Sequence, residues 1–217
     1  MSAMIISYTK DNEDSSKSLN DIIAFTARVS NPSNQNNTLT NDKLIKYLMK
    51  NKHWSPFEMV NVCMEIETTR DIARQILRHR SFSFQEFSQR YAVADLGFVS
   101  REARLQDNKN RQNSLECDND ELKTEWDNKQ KELLEQVQSV YDWALTNGIA
   151  KEQARAVLCE GNTKSRMYVN GSLRSWIHYV ELRSGNGTQK EHREIAVECA
   201  KEIAKVFPLI LDSVAKE

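Results

Sequence analysis

The chain has 217 residues, 39% of them hydrophobic and 28% charged, which suits a globular protein with a real core. With 30 basic against 31 acidic residues the formal net charge is -1, which argues against a nucleic-acid partner held by the field of the whole chain. No apolar run reaches the length of a membrane-spanning helix, and the N-terminal stretch turns acidic before a signal-like apolar segment develops, so a soluble cytoplasmic protein with no membrane partner is expected.

MIISY, at 4–8, is a short strand candidate. Ile22, Ile23, Thr26 and Ala27 recur at helical spacing, as do Leu44, Ile45 and Leu48, with a polar loop over 34–37 between them. Pro56 biases Ser55 toward extended geometry and breaks the second helix. Val60, Val62, Met64 and Ile66 then alternate with Asn61, Cys63, Glu65 and Glu67, the pattern of a half-buried strand. Thr69 is a candidate helix cap with Asp71 in the first turn. Ile72, Ala73, Ile76 and Leu77 make that helix's apolar stripe, while Arg70, Arg74 and Arg78 share another face at i, i+4 and i+8.

Residues 84–91 read as extended, which would put Glu86, Ser88 and Arg90 on one face. From 105 to 120 the chain is polar, charged and without periodicity, an exposed or mobile insertion. A long helical pattern with Trp126, Leu133, Val137, Tyr141 and Ala144 fills 121–147. Three further helices are expected at 153–158, 172–183 and 191–207, with Gly-Asn-Gly at 185–187 separating the last two. Many helices and few strands, unevenly distributed, point to the α+β class.

Neither the GxGxxG nor the GxxxxGK[ST] phosphate loop occurs. Cys63, Cys117, Cys159 and Cys199 are widely spaced and form no CxxC pair, so they read as reduced thiols. His53, His79, His178 and His192 fall into no ligand motif, and no metal is expected.

The stretch RHRSFSFQEFSQRY, at 78–91, carries the most chemistry. Cations are favourable at a helix C-terminus, and that alone could explain Arg78, His79 and Arg80. Arginine is also a planar fork suited to phosphates, and a carboxylate and a hydroxyl nearby would serve a base edge or sugar hydroxyl. On residues alone three readings stay open. They are a nucleotide site, a nucleic-acid-binding module using the Arg-His-Arg turn with its aromatic neighbours, and a metal-dependent nucleotide hydrolase.

The spacing of RHR, seven residues, Ser88 and then Arg90 resembles the signature of the flavin-dependent thymidylate synthases, the ThyX family. ARVSN at 27–31, HWSPFE at 53–58, IARQILRHR at 72–80, EQARAVL at 152–158 and SLRSWIHYVELR at 172–183 resemble other segments of that family. The likeness runs from about residue 20 to the end, apart from 101–125, and departs at Met59, where the family commonly has His.

The resemblance implies a single domain over 1–217, with a mixed, mainly antiparallel sheet flanked by several helices and a variable polar insertion at about 101–125. It implies conversion of dUMP to dTMP, with methylenetetrahydrofolate as one-carbon donor and NADPH-reduced FAD as hydride source. No Cys follows a Pro in the chain, which agrees with a route lacking a cysteine adduct. Ser30, Ser55, Arg78, His79, Arg80, Glu86, Ser172, Arg174 and His178 would contact FAD. Gln75, Arg78, Glu86, Ser88, Gln89, Arg90, Arg155 and Arg183 would contact dUMP. Arg183 would polarise the pyrimidine, and His53 would serve the folate or methylene-transfer step. A homotetramer with sites shared between subunits is implied as well.

Overall fold

Residues 1–215 are described by a computed structural model of the chain. In chain order the elements are strand β1 (Ser2–Tyr8), helices α1 (Leu19–Ala27) and α2 (Asn41–Lys50), strand β2 (Asn61–Thr69), helix α3 (Arg70–Ile76), strands β3 (Ser83–Glu86), β4 (Arg104–Gln106) and β5 (Ser114–Glu116), helices α4 (Asp120–Thr146) and α5 (Lys151–Ala154), strand β6 (Lys164–Ser172), and helices α6 (Leu173–Arg183) and α7 (Lys190–Ala204). The class is α+β, as the pattern of elements indicates.

The main sheet has the order β1-β2-β6-β3, and each neighbouring pair is antiparallel rather than mixed. Its centre is β2 against β6, with Val62 opposite Gly171, Met64 opposite Val169 and Ile66 opposite Met167. Those six residues point to the covered face and are buried. Trp176, Ile177 and Val180 of α6 and Ile195, Ala196, Cys199 and Ile203 of α7 complete the core with them. The Trp176 indole N–H donates to the Val62 carbonyl at 3.0 Å, which anchors α6 over the sheet.

Strand β6 is absent from the pattern of apolar alternation because only Met167 and Val169 of its inward positions are large and apolar; Ser165 and Gly171 dilute the signal. Gly171 is required by packing: a Cβ there would stand 2.3 Å from Cδ1 of Phe82.

Ser18 and Asp21 form a capping box at the start of α1. Helix α2 ends in a Schellman motif: Lys52 has φ 57°, its N–H reaches the Met49 carbonyl, and the His53 N–H reaches Leu48 at 2.9 Å. Ser55 does not stay extended; it opens a 3-10 turn over Ser55–Met59. Thr69 starts α3 without a side-chain cap. Its hydroxyl instead bonds Asp71 at 2.5 Å and accepts from Arg101 at 2.6 Å.

The 105–120 stretch is not an irregular loop. Strands β4 and β5 pair as a hairpin with Leu105 opposite Leu115, closed by Asp107 accepting the Lys109 and Asn110 N–H groups. Arg101, just before it, binds Asp71, Glu191 and the Gly161 carbonyl, and Gln130 of α4 brackets its backbone. The helix expected at 153–158 is shorter: α5 ends at Ala154 and a 3-10 turn covers Arg155–Val157.

Candidate active site

Strand β2 runs straight into α3, and β6 runs straight into α6. These two helices converge on the turn at 78–82 that joins α3 to β3. Ser172 caps α6 by accepting from the Ser175 N–H. The Ser175 hydroxyl in turn donates to the Ser81 carbonyl at 3.2 Å. Eight residues on, Arg183 Nε donates to His79 Nε2 at 2.9 Å. One helix thus holds the turn at two points about 12 Å apart along its axis. Between them Phe82 lies on Trp176 (ring centroids 4.6 Å apart), and Tyr179 packs edge-on against His79 at 5.0 Å.

The hydrogen bond from Arg183 settles the state of His79. Its Nε2 must offer a lone pair, so the ring is neutral and its proton is on Nδ1. Burial first, then the Arg183 cation and the neighbouring His178, lower the pKa to about 4. His192 of α7 stands beside it, ring centroids 6.4 Å apart. It is 0% exposed, and burial, then Arg183, then His79 push its pKa down to about 3. Its Nδ1 meets Gln75 Oε1 at 3.1 Å. Gln75 Nε2 donates to Gln189 Oε1 at 2.8 Å. Gln75, His79, Arg183 and His192 therefore form one cluster drawn from α3, its following turn, α6 and α7. His192 was not among the expected site residues, since a lone histidine outside any motif carries no signal of its own.

The other expected residues group elsewhere. Glu86 ends β3, where its carboxylate accepts from Arg74 at 3.2 Å and from Ser165 at 3.0 Å, with Arg70 3.5 Å away. Beyond Glu86 the extended geometry stops. The Tyr91 and Ala92 N–H groups both bond the Ser88 carbonyl, so residues 88–92 form a turn. Glu86, Ser88 and Arg90 consequently do not share one strand face. Gln89 is buried in that turn. Arg90 is 66% exposed and lies 3.8 Å from Glu152, near the 3-10 turn that carries Arg155.

Glu58 joins two expected residues, accepting from Arg174 at 2.5 Å and from the Ser172 hydroxyl at 3.2 Å. Arg174 and His178 are on the exposed side of α6. Arg174 is nine residues from Arg183, about half a turn round the helix, so the two point in opposite directions. Ser30 and Ser55 are exposed on separate loops. His53 is exposed, its ring edge-on to Tyr47 at 5.9 Å. Among the described residues, Arg78, Arg80 and Arg155 have no carboxylate within ion-pair distance, in contrast to Arg70, Arg74 and Arg174.

Residues 5–209 match the family described as "Thymidylate synthase complementing protein". The "Probable flavin-dependent thymidylate synthase" of Paramecium bursaria Chlorella virus 1 is 47% identical over 210 residues, covering 97% of each chain. The flavin-dependent thymidylate synthase of Synechocystis is 52% identical over 190 residues, covering 87% of this chain and 86% of the other. The crystal structure of a UMP/dUMP methylase, PolB, from Streptomyces cacaoi superposes with a TM-score of 0.82 at 24% identity, over 98% of this chain and 93% of that one; at that identity it speaks for the fold. None of this supports the nucleic-acid-binding alternative. The chain belongs to the thymidylate synthase complementing protein family, that of the flavin-dependent thymidylate synthases.

Proposed function

We propose that the chain converts dUMP to dTMP by reductive methylation, with methylenetetrahydrofolate as one-carbon donor, NADPH as reductant and FAD as the flavin. The observation that carries this is the Arg183–His79 pair beside Gln75. Arg183 spends its Nε–H on a neutral imidazole, and among the described residues no carboxylate lies within ion-pair distance of it, which leaves its charge uncompensated and its terminal nitrogens available. A fixed cation of that kind stabilises negative charge as it develops on a pyrimidine ring, assisting the reaction without a cysteine adduct.

The residues present suit FAD. Arg78 and Arg80 flank His79 on the exposed surface of the turn, without a carboxylate partner among the described residues, and suit a pyrophosphate. Ser30, Ser55, Ser172, Arg174 and His178 would complete the cofactor's contacts. Arg90 and Arg155 would take the nucleotide phosphate, with Gln75, Glu86, Ser88 and Gln89 around base and sugar. When bound, the flavin supplies the hydride that completes the methyl group. His53 would serve the transfer of the one-carbon unit.

A site shared between subunits of a homotetramer is part of the reading. Two observations support it: Arg174 and His178 face away from Arg183 on α6, and α4 exposes Trp126, Leu133, Val140 and Trp143, three of them at intervals of one heptad. A single catalytic domain, with 101–125 as a variable insertion, completes it.

The test is anaerobic turnover of the FAD-loaded protein with dUMP, methylenetetrahydrofolate and NADPH, with the product read by mass. Absence of dTMP from protein that has retained its flavin would sink the proposal. Site sharing is checked by mixing inactive Arg174→Ala and Arg183→Ala chains under exchanging conditions; partial recovery of activity is expected.

A further inference from the structure

The amide of Gln75 is clamped on both edges. Its Nε2 donates to Gln189 Oε1 at 2.8 Å, and Gln189 Nε2 donates to the Glu191 carboxylate at 2.9 Å, so Gln189 can offer Gln75 only its oxygen and the flip of the Gln75 carboxamide is fixed. Its Oε1, 3.1 Å from His192 Nδ1, can only accept. His192 must therefore carry its proton on Nδ1 and donate it to Gln75. His192 Nε2 is left as a bare lone pair, buried and without a hydrogen-bond partner among the described residues.

The ring is held in this orientation by the bond to Gln75 at 3.1 Å. Its surroundings explain why it stays neutral: the ring packs on Tyr179 at 5.7 Å and on His79 at 6.4 Å, with the Arg183 cation beyond. What the arrangement achieves lies at Gln75, which keeps one Nε2 hydrogen and one Oε1 lone pair uncommitted. With its flip fixed, the amide presents that donor and that acceptor in only one order. A pyrimidine carries adjacent carbonyl and imide N–H groups, and a sugar carries hydroxyls; both discriminate between the two orders.

We propose that His192 is a positioning residue for the pyrimidine nucleotide, acting through Gln75 by fixing the orientation of its carboxamide. This rests on the reading that Gln75 touches the nucleotide. It adds a residue from α7, 117 positions away, that makes no contact with substrate itself.

The experiment is steady-state kinetics and direct dUMP binding on FAD-loaded protein carrying His192→Leu, His192→Asn, Gln75→Ala or the Gln75→Ala/His192→Leu pair. His192→Leu removes the donor and is expected to raise the KM and Kd for dUMP about tenfold, the worth of one orienting hydrogen bond. The KM for NADPH and the flavin content should not change. His192→Asn, whose amide N–H falls near the place of Nδ1, should recover dUMP binding to within about threefold. In the Gln75→Ala background His192→Leu should add nothing.

The proposal is overturned if His192→Leu leaves dUMP affinity intact while Gln75→Ala weakens it, or if the two effects add. If neither variant alters dUMP affinity, the placement of Gln75 against the nucleotide has failed instead, and the proposal with it. Should the leucine variant not fold, His192→Asn against His192→Gln decides: the Gln amide falls near Nε2 rather than Nδ1, so Asn must bind dUMP better. Equal binding, or the reverse order, refutes the role.

Discussion

Gly171→Ala tests how the Arg-His-Arg turn is held. The new Cβ would stand 2.3 Å from Cδ1 and 2.6 Å from Cε1 of Phe82, whereas ordinary contact begins near 3.4 Å. The ring must therefore retreat by about 1 Å. It has little room, with Trp176 at 4.6 Å, Tyr179 at 6.0 Å, Phe84 at 6.2 Å and His79 at 6.4 Å between centroids. Overpacking of this kind costs about 1–3 kcal/mol. Losing a glycine's excess freedom in the unfolded chain returns about 0.5–1 kcal/mol. The net expectation is roughly 1–2 kcal/mol, or a fall in Tm of roughly 2–8 °C for a domain of this size. Because Phe82 is part of the turn that bears His79, flavin retention after gel filtration should fall too. Urea denaturation of Gly171→Ala, Phe82→Leu and the double variant measures the coupling. In the Phe82→Leu background the alanine should cost close to nothing; an undiminished cost there, or none in the wild-type background, refutes the steric account.

Acid should destabilise the protein through its neutral histidines. Folded pKa values of about 4 for His79 and about 3 for His192 lie below the unfolded 6.5, so only the unfolded chain takes protons as pH falls through that window. Stability is full above pH 6.5 and declines toward pH 3. At about 1.4 kcal/mol per pH unit, buried His192 alone accounts for roughly 2 kcal/mol between pH 6.5 and 5. His192→Gln should flatten that slope in denaturant titrations at pH 7.5 and 5.0, and an unchanged slope contradicts the account. Arg183→Ala should abolish dTMP formation with FAD still bound, whereas Arg78→Ala should instead weaken FAD retention, as absorbance at the flavin band reports. Arg101→Ala removes ion pairs to Asp71 and Glu191 and a bond to the Gly161 carbonyl; we expect a loss of about 2–4 kcal/mol in urea titrations. A loss under about 0.5 kcal/mol would mean that the stretch before the hairpin is a passive surface insertion.

The legible parts of the fold were those written in local periodicity. Strand β2 was visible because Val62, Met64 and Ile66 alternate cleanly with polar residues, and α4 and α7 because their apolar stripes are long. Strand β6 was not, since Ser165 and Gly171 take inward positions for reasons outside the strand: Ser165 bonds Glu86, and Gly171 makes way for Phe82. The site shows the same division. Arg78 to Arg80 were singled out by a motif of fixed spacing, and Arg183 by the resemblance of the 172–183 segment to the family. His192 and Arg101 have no motif, and their partners lie at Gln75, 117 positions away, and at Asp71 and Glu191. Only the packing of α7 against α3 and α6 brings them into play. The face expected of Glu86, Ser88 and Arg90 failed because alternation presumes a continuing strand, and the turn at 88–92 ends it.

The site also sorts its arginines by what they bond. Arg70 and Arg74 share two carboxylates, those of Glu86 and Glu160, and Arg174 meets Glu58. In each of these pairs the field of the cation is largely cancelled a few ångströms away. Arg183 is treated differently. It is half-buried, where charge is less screened, and its Nε partner is an imidazole that carries no charge. A carboxylate in the place of His79 would hold Arg183 as firmly but would neutralise it. A protonated imidazole would repel it. Neutral His79 supplies orientation without compensation, and a pKa lowered to about 4 keeps it so at neutral pH. His192 repeats the device one residue further out, orienting Gln75 with a neutral ring. The role proposed for Arg183, to act as a cation on a pyrimidine, requires both properties together, a fixed direction and an undiminished charge, and histidine held neutral by burial is the side chain that provides them.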